Sequence, residues 1–321
     1  MDSGKLVNSS EVSGDGPSTP YLTIAIASSA LFDLTESDSV FRTQGEEAYA
    51  KYQRNHESVP LNPGPAFGLV SKLLALNKGR ASPLVEVVLV SKNSVDTGLR
   101  IFHSIRHHHL GITRASFSRG RSPFVYAQAF GANLFLSSSE SDVREAIASG
   151  IPAARLIGSS AQNTLEKTEI RLAFDGDAVI FSDEAEQIFA ASGLLAFEQS
   201  EVESKDQPMA EGPLHGLLAA IHQLQSVFPS GACPLRTALV TARAAPTHER
   251  VINTLRSWGI RIDEAVFLGG RPKGPFLRAF GADIFFDDQM HHLESTRQHV
   301  SSAHVPYGVK NLPLERKPDC K

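Results

Sequence analysis

Residues 120–137 read GRSPFVYAQAFGANLFLS and residues 270–287 read GRPKGPFLRAFGADIFFD; the two stretches lie against each other without a gap. The match continues upstream at the same offset. Leu89-Val90-Ser91 falls on Leu239-Val240-Thr241, Arg100 on Arg250, Arg106 on Arg256 and Phe117 on Phe267. With a shift of two residues, Gly64-Pro65 pairs with Gly212-Pro213, Ala25 with Ala173, and Val40-Phe41 with Ile188-Phe189. A repeat of this extent reads as one structural unit written twice, the alternative being a chance likeness between two βαβ halves. Any fold proposed for the first half must therefore also serve the second.

The unit itself is an alternation of apolar strands and amphipathic helices. In the first half, strands are expected over 21–27, 85–90, 115–117 and 133–136, with helices over 36–54, 65–77, 95–108, 123–130 and 140–149. The second half runs in the same order. Strands are expected over 172–174, 237–241, 265–268 and 284–286, and helices over 184–191, 213–227, 247–258 and 275–280. Pro- and Gly-punctuated residues 59–64 and the acidic stretch 201–211 read as loops. Alternation of this kind predicts βαβ units and parallel sheets. The expected architecture is two tandem Rossmann-like α/β units, one over 21–155 and one over 165–310, the second with a small helical insertion.

Tails are expected over 1–20 and 311–321. The first is rich in Ser, Gly and Asp and lacks the apolar core of a signal peptide, so disorder is expected there. No apolar run has the length of a membrane span. Cys233 and Cys320 offer neither a disulfide framework nor zinc-ligand spacing, which suits a reducing compartment, and a cytoplasmic location is expected. A net charge of −4 argues against non-specific nucleic-acid binding.

The two copies differ where chemistry would sit. Asp175 and Asp177 face Ala27 and Ser29; Lys273 faces Pro123; Asp287 and Asp288 face Ser137 and Ser138. Only a hydroxyl is common to both, Thr241 against Ser91. One active site, in the second half, is the reading. Each of these residues follows an apolar strand, and the carboxyl edge of an open α/β sheet is where ligands bind. In LAFDGDAVIF, Gly176 is expected to let the backbone turn tightly and a ligand approach closely. Two acids so close together divide their roles when a divalent cation is present.

The order Asp175-Gly176-Asp177, Thr241, Lys273, Asp287-Asp288 resembles the four motifs of the haloacid-dehalogenase-like phosphohydrolases. The wider wording is similar to the cytosolic 5′-nucleotidase I family from about residue 21 to about residue 308. It includes SSALFDLTES, PLNPGPAF, FDGDAVIFSDEAE, LVTARAA, RSWGIRIDEAVFLGGRPKGP, IFFDDQ and AHVPYG. That resemblance implies Mg²⁺-dependent hydrolysis of nucleoside 5′-monophosphates, AMP above all. It implies that Asp175 is the nucleophile and Asp177 the general acid and base. Thr241, Ala242, Arg243 and Lys273 would receive the phosphate. Asp175, Asp177 (through its backbone carbonyl), Asp287 and Asp288 would form the metal side, with Asp288 favoured as the direct ligand. A homo-oligomer and activation by nucleoside diphosphates are further implications. Two other readings compete: a phosphatase for another small phosphate ester, and a non-catalytic nucleotide-binding regulator.

Some residues invite a role without earning it. His107, His108 and His109 are consecutive on a helix and point apart, so a solvated helix end is expected rather than a metal cluster. His215 and His248 have no evident nucleophile to serve, and surface roles are expected. Phe181 and Trp258 are candidates to stack on a base, Trp258 more readily serving as core or cover. Arg243 reads either as a phosphate ligand or as an ordinary charge at a helix start. The first half is expected to pack near the active site, covering it through residues 28–35 or 59–67, or else to act as a stabilising partner.

Overall fold

A computed structural model describes residues 19–158 and 169–312. The expected N-terminal tail, apart from Thr19 and Pro20, lies outside the described residues, as does the chain beyond 312. The first half comprises β1 (Leu22–Ala27), α1 (Ser28–Leu31), α2 (Thr35–Asn55), α3 (Phe67–Ala75), β2 (Val85–Ser91), α4 (Gly98–His107), β3 (Ala115–Phe117), α5 (Phe124–Ala129), β4 (Leu134–Ser137), α6 (Glu140–Ala148) and β5 (Ala153–Ile157). The second comprises β6 (Ile170–Phe174), α7 (Glu184–Glu203), α8 (His215–Ser226), β7 (Leu235–Thr241), α9 (His248–Ser257), β8 (Glu264–Phe267), α10 (Gly274–Phe280), β9 (Ile284–Asp287), α11 (Met290–Thr296) and β10 (Ser301–His304).

All ten strands join one sheet in the order β3-β2-β1-β4-β5-β10-β9-β6-β7-β8. Read outward from its middle, each half has the same strand order. Every neighbouring pair is parallel except β5 and β10, which pair antiparallel through Ser302 and Ile157, Ala303 and Leu156, and His304 and Arg155. Strands β1, β4 and β9 are buried along their whole length and β6 at every residue but Arg171, as parallel strands covered on both faces are expected to be. Phe174 and Phe286 stack at 5.1 Å and are fully buried or nearly so. Each such burial is worth about 1.5–3 kcal/mol.

The antiparallel seam decides where the halves face. The carboxyl ends of β1, β2 and β4 lie on one edge of the sheet, and those of β6, β7 and β9 on the other. Residues 28–35 and 59–67 follow β1 and belong to the first of these edges. They are tied into their own half: Arg100 Nε donates to the Val59 carbonyl at 3.0 Å, Ser104 Oγ accepts the Leu61 N–H at 2.9 Å, and His108 Nε2 meets the Leu61 carbonyl at 2.8 Å. The expectation that these stretches cover the second-half site is therefore corrected. Contact between the halves comes instead from the seam and from helices that reach across. Lys72 of α3 pairs with Asp283 at 2.6 Å, and Asp283 in turn accepts the Arg171 N–H at 2.8 Å at the start of β6.

Both halves carry a long helix broken by glycine. In α2 the break is Gly45 (φ 87°, ψ −178°), and in α7 it is Gly193 (φ 78°, ψ −177°). An L side chain at either position would be strained, and the glycine lets the helix turn and resume. The helix expected to end at residue 191 consequently runs on to Glu203, and the start of the expected acidic loop, with Glu201, is helical and buried.

Candidate active site

Strand β6 delivers Asp175 to the sheet edge, and the chain then makes a single wide turn over Gly176–Ile180. The residue in the left-handed region of that turn is Ala178 (φ 59°), two residues beyond Gly176. A glycine elsewhere makes the turn possible. Gly308 (φ +81°) packs so closely that an added Cβ would lie 2.9 Å from the Asp183 Cβ and 3.0 Å from the Ala178 Cβ. The next N–H, of Val309, donates to Asp183 at 2.8 Å and pins the strap to the turn.

Strand β7 ends in Thr241, β9 ends in Asp287, and Lys273 precedes α10. These ends converge. Lys273 Nζ lies 2.7 Å from Asp175 Oδ2 and 2.7 Å from Asp287 Oδ2. All three side chains are almost wholly buried. Asp287 also accepts the Gln289 N–H at 2.8 Å and faces His292 Nδ1 at 3.1 Å. Burial would push its carboxyl up, but Lys273 and His292 hold it below the ordinary carboxylate range. Burial, against the pull of Lys273, raises Asp175 to about 6.

Asp288 is unlike its neighbour. It is 1 % exposed and neither of its carboxylate oxygens has a hydrogen-bond partner. Burial, then Asp287, Glu186 and Asp175, push it up to about 10. A buried carboxylate in this state lacks a compensating cation. Its backbone carbonyl is well held, by Asn311 Nδ2 at 2.9 Å and His304 Nε2 at 2.9 Å, so Asn311 is a working part of the site's surround. One ligand atom from each of Asp175, Asp287 and His292 also falls within 4.8 Å of the others.

Asp177 takes its hydrogen-bond partner outside this trio. Arg243 grips it with Nη2 and Nε, and its Nη1 bonds Glu201. Glu201 accepts a second guanidinium, Arg250, at 2.7 Å. Arg243 is thus a buried cation paired with two carboxylates, not a surface charge. Its N–H donates to Thr241 Oγ1 at 3.2 Å, which leaves the backbone of Ala242 and Arg243 beside the hydroxyl at the sheet edge.

A cavity of about 550 Å³ opens beside Asp177. Its floor is Ala242, Arg243 and Gly269, and its cover is the broken helix α7, through Glu186, Phe189, Leu194 and Phe197. Phe189 and Phe197 meet edge to face at 6.3 Å, and the Arg243 guanidinium lies 5.3 Å from the Phe197 ring. Every lining residue belongs to the second half. Burial, then Asp177 and Asp175, push Glu186 up to about 7, and its Oε1 accepts from Gln289 at 2.8 Å.

Sequence reasoning missed Glu186, Glu201, Gln289 and His292. The signal for Glu201 was present in the repeat. Arg100 and Arg250 occur in both copies, and each reaches back to the broken helix of its own half: Arg100 to Gln53 at 3.0 Å, Arg250 to Glu201. Phe181 is fully buried and stands 5.5 Å from Trp258, so it is core rather than a base platform. His215 packs on Trp258 at 4.6 Å and pairs with Glu211 at 3.1 Å, and His248 meets the Phe267 ring edge to face at 5.9 Å. His108 leaves the expected solvated helix end to stack on Phe32 at 5.8 Å, and the three consecutive histidines do not converge.

The family model described as 5′-nucleotidase matches residues 16–312. Human cytosolic 5′-nucleotidase 1B is 38% identical over 300 residues, covering 90% of this chain and 49% of the relative. The chain belongs to the 5′-nucleotidase family. It spans about half the length of the curated relative it matches. No solved structure is a significant match. Among the described residues no helix is long and apolar enough to cross a membrane.

Proposed function

We propose that this chain hydrolyses nucleoside 5′-monophosphates, AMP foremost, to nucleoside and phosphate with Mg²⁺. The observation that carries the reading is the pairing of a Lys273-bridged Asp175 with a buried, unpartnered Asp288 at the same strand edge. The donor set suits a hard cation: carboxylate oxygens of Asp175 and Asp288, with the backbone carbonyl of Asp177. Bound there, Mg²⁺ neutralises the phosphoryl oxygens as a Lewis acid. Asp287, engaged by Lys273 and His292, is the supporting carboxylate.

The residues divide the work as follows. A carboxylate oxygen of Asp175 bonds to phosphorus as the P–O5′ bond breaks, and Asp177 gives its proton to the departing O5′. Asp177, now a carboxylate, takes a proton from water as that water's oxygen bonds to phosphorus. The bond between phosphorus and Asp175 breaks, and phosphate leaves. Lys273, the Thr241 hydroxyl and the N–H groups of Ala242 and Arg243 stabilise the charge on the transferring group. The Arg243 side chain orients Asp177. The cavity under α7 takes the nucleoside, its base against Phe189 and Phe197, and α7 keeps bulk water from the acyl phosphate.

The repeat and the matching strand orders support a further reading. Each half is a haloacid-dehalogenase-type unit, and the first is a degenerate copy that kept the scaffold and lost the acids.

A phosphate-release panel over AMP, IMP, dCMP, sugar phosphates and p-nitrophenyl phosphate tests the function. AMP should be turned over fastest, with Mg²⁺ and not in EDTA, and Asp175→Asn should abolish turnover with the fold intact. Preference for a sugar phosphate, full activity in EDTA, or an active Asp175→Asn protein would overturn it.

A further inference from the structure

The first half keeps a cavity at the place equivalent to the one under α7. It measures about 460 Å³ and lies beneath α2. Its walls fall on the second-half walls residue by residue: Phe41 on Phe189, Tyr49 on Phe197, Asn93 on Arg243, Thr97 on Thr247, and Gly120 on Gly270. Phe41 and Tyr49 again meet edge to face, at 5.7 Å. A disused copy with nothing to bind gains nothing by holding this space open, because closure would bury the apolar wall.

The chemistry at the neighbouring strand ends is inverted. Ala27 stands at the position of Asp175, and Ser29, Ser137 and Ser138 stand at those of Asp177, Asp287 and Asp288; Ser29 meets Ser138, and beside them Ser28 Oγ lies 2.9 Å from Ser91 Oγ. Lys92 stands where the second half has Ala242. Its ammonium, 41 % exposed, pairs with the buried Asp142 at 2.7 Å and adds a cation beside the hydroxyls. Arg119 adds a second at the mouth, held loosely by Glu46 at 3.4 Å. No carboxylate stands at the positions of Asp175, Asp177, Asp287 and Asp288, and the carboxylates nearby, Asp142 and Glu46, are paired with Lys92 and Arg119, so a phosphate meets less negative charge here than at the other edge. A second observation points to a ligand. The Asn93 Nδ2 donor is buried without a partner, although its Oδ1 accepts from Tyr49 at 3.0 Å. A buried N–H donor left without an acceptor is costly to keep.

We infer that the first-half cavity binds a nucleoside phosphate without metal and without hydrolysing it. Lys92 and the hydroxyls hold the phosphate, Phe41 and Tyr49 hold the ring, and Asn93 Nδ2 donates to an acceptor on the ligand. Asp38 and Glu46 offer acceptors to sugar hydroxyls. The two cavities lie on opposite edges of the sheet, so both are open to ligand at once. This inference stands whether or not the second half turns over AMP.

The test uses the full chain and the phosphonate analogue of AMP in which a methylene replaces the ester oxygen, so that no turnover intrudes. Equilibrium dialysis should find two equivalents per chain in Mg²⁺ and one that persists in EDTA. Phe41→Ala and Lys92→Ala, both at exposed side chains, should each weaken the EDTA-resistant equivalent at least about tenfold, a loss of about 1.4 kcal/mol, while AMP hydrolysis stays within about twofold of the parent. Adenosine and inorganic phosphate should each bind this site far more weakly than the analogue. No EDTA-resistant equivalent, or one indifferent to both substitutions in folded protein, would overturn the inference. Equal binding of adenosine would remove the phosphate from the site.

Discussion

Arg243 holds Asp177 by two parallel bonds, Nη2 to Oδ1 at 2.7 Å and Nε to Oδ2 at 2.8 Å, with its guanidinium 3 % exposed. A fork of this kind fixes the plane of the carboxylate, which a lysine ammonium cannot do. Arg243→Lys keeps the charge and loses the fork. Its turnover number on AMP should fall about tenfold or more with KM little changed, since the loss is one of transition-state alignment. Steady-state kinetics on protein of unchanged circular dichroism would check it; a rise in KM alone would assign Arg243 to substrate binding.

Glu201 is fully buried between Arg243 and Arg250. Removing its charge takes the carboxylate partner from Arg250 and leaves Arg243 with Asp177 alone, so Glu201→Ala should cost about 3–5 kcal/mol. Glu201→Gln should cost less, because the first half places Gln53 against Arg100 in the same position and remains packed. Urea unfolding midpoints of the three proteins measure the difference.

Asp288→Asn replaces a buried carboxylate that has no partner. In EDTA its melting temperature should match or exceed the parent's. Mg²⁺ at a hundred times its Kd should stabilise the parent by about 2.7 kcal/mol, and should not stabilise the variant. An equal Mg²⁺ shift in both would take Asp288 out of the metal site.

Gly308→Ala should destabilise the fold by about 1–3 kcal/mol, since the new Cβ meets Asp183 and Ala178 in a left-handed residue. Gly231→Ala is the control, because it also has positive φ (78°) but has open space around its Cβ. Thermal melts should rank Gly308→Ala as the more damaging of the two.

Burial raises the Cys233 thiol above its ordinary value, while the Leu235 N–H donated to its sulfur pulls it down. Because the folded state favours the neutral thiol, this group's contribution to stability is full below the unfolded pKa and is lost as pH rises through the folded one. Cys233→Ser should flatten the alkaline limb of the stability profile. Iodoacetamide should label Cys233 more slowly in folded protein than in urea at pH 8.

The repeat made the architecture legible, and the strands richest in β-branched and aromatic residues were found close to their observed limits. The two strands that were missed, β5 and β10, are AARLI and SSAH. They are short and carry small or polar residues without alternation, and it is their pairing with β4, with β9 and with each other that makes them strands. The reach of α7 was missed because Gly193 reads as a helix stop, though the first copy had already been read as continuous through Gly45. The strand-end residues were legible since each follows its strand in sequence. The grip of Arg243 on Asp177 was not, because the partners are far apart in the chain and only the fold brings them together. Asp175 and Asp287 meet at Lys273 for the same reason, but there the strand ends supplied the address.

Strand β10 has a duty beyond joining two halves. It is the last strand of the sheet, and it lies between β5 and β9, covering one side of each. Until it is in place, both strands offer unpaired N–H and C=O groups, the kind of margin on which chains aggregate. The first half can assemble early in synthesis, yet its β5 margin stays open until Ser301–His304 emerges. At about 5–20 residues per second, that interval is the period in which a nascent chain most needs a chaperone. A stop codon ahead of Ser301 would leave both margins bare for good, so truncated chains should be recovered in the insoluble fraction even when both sets of helices are complete.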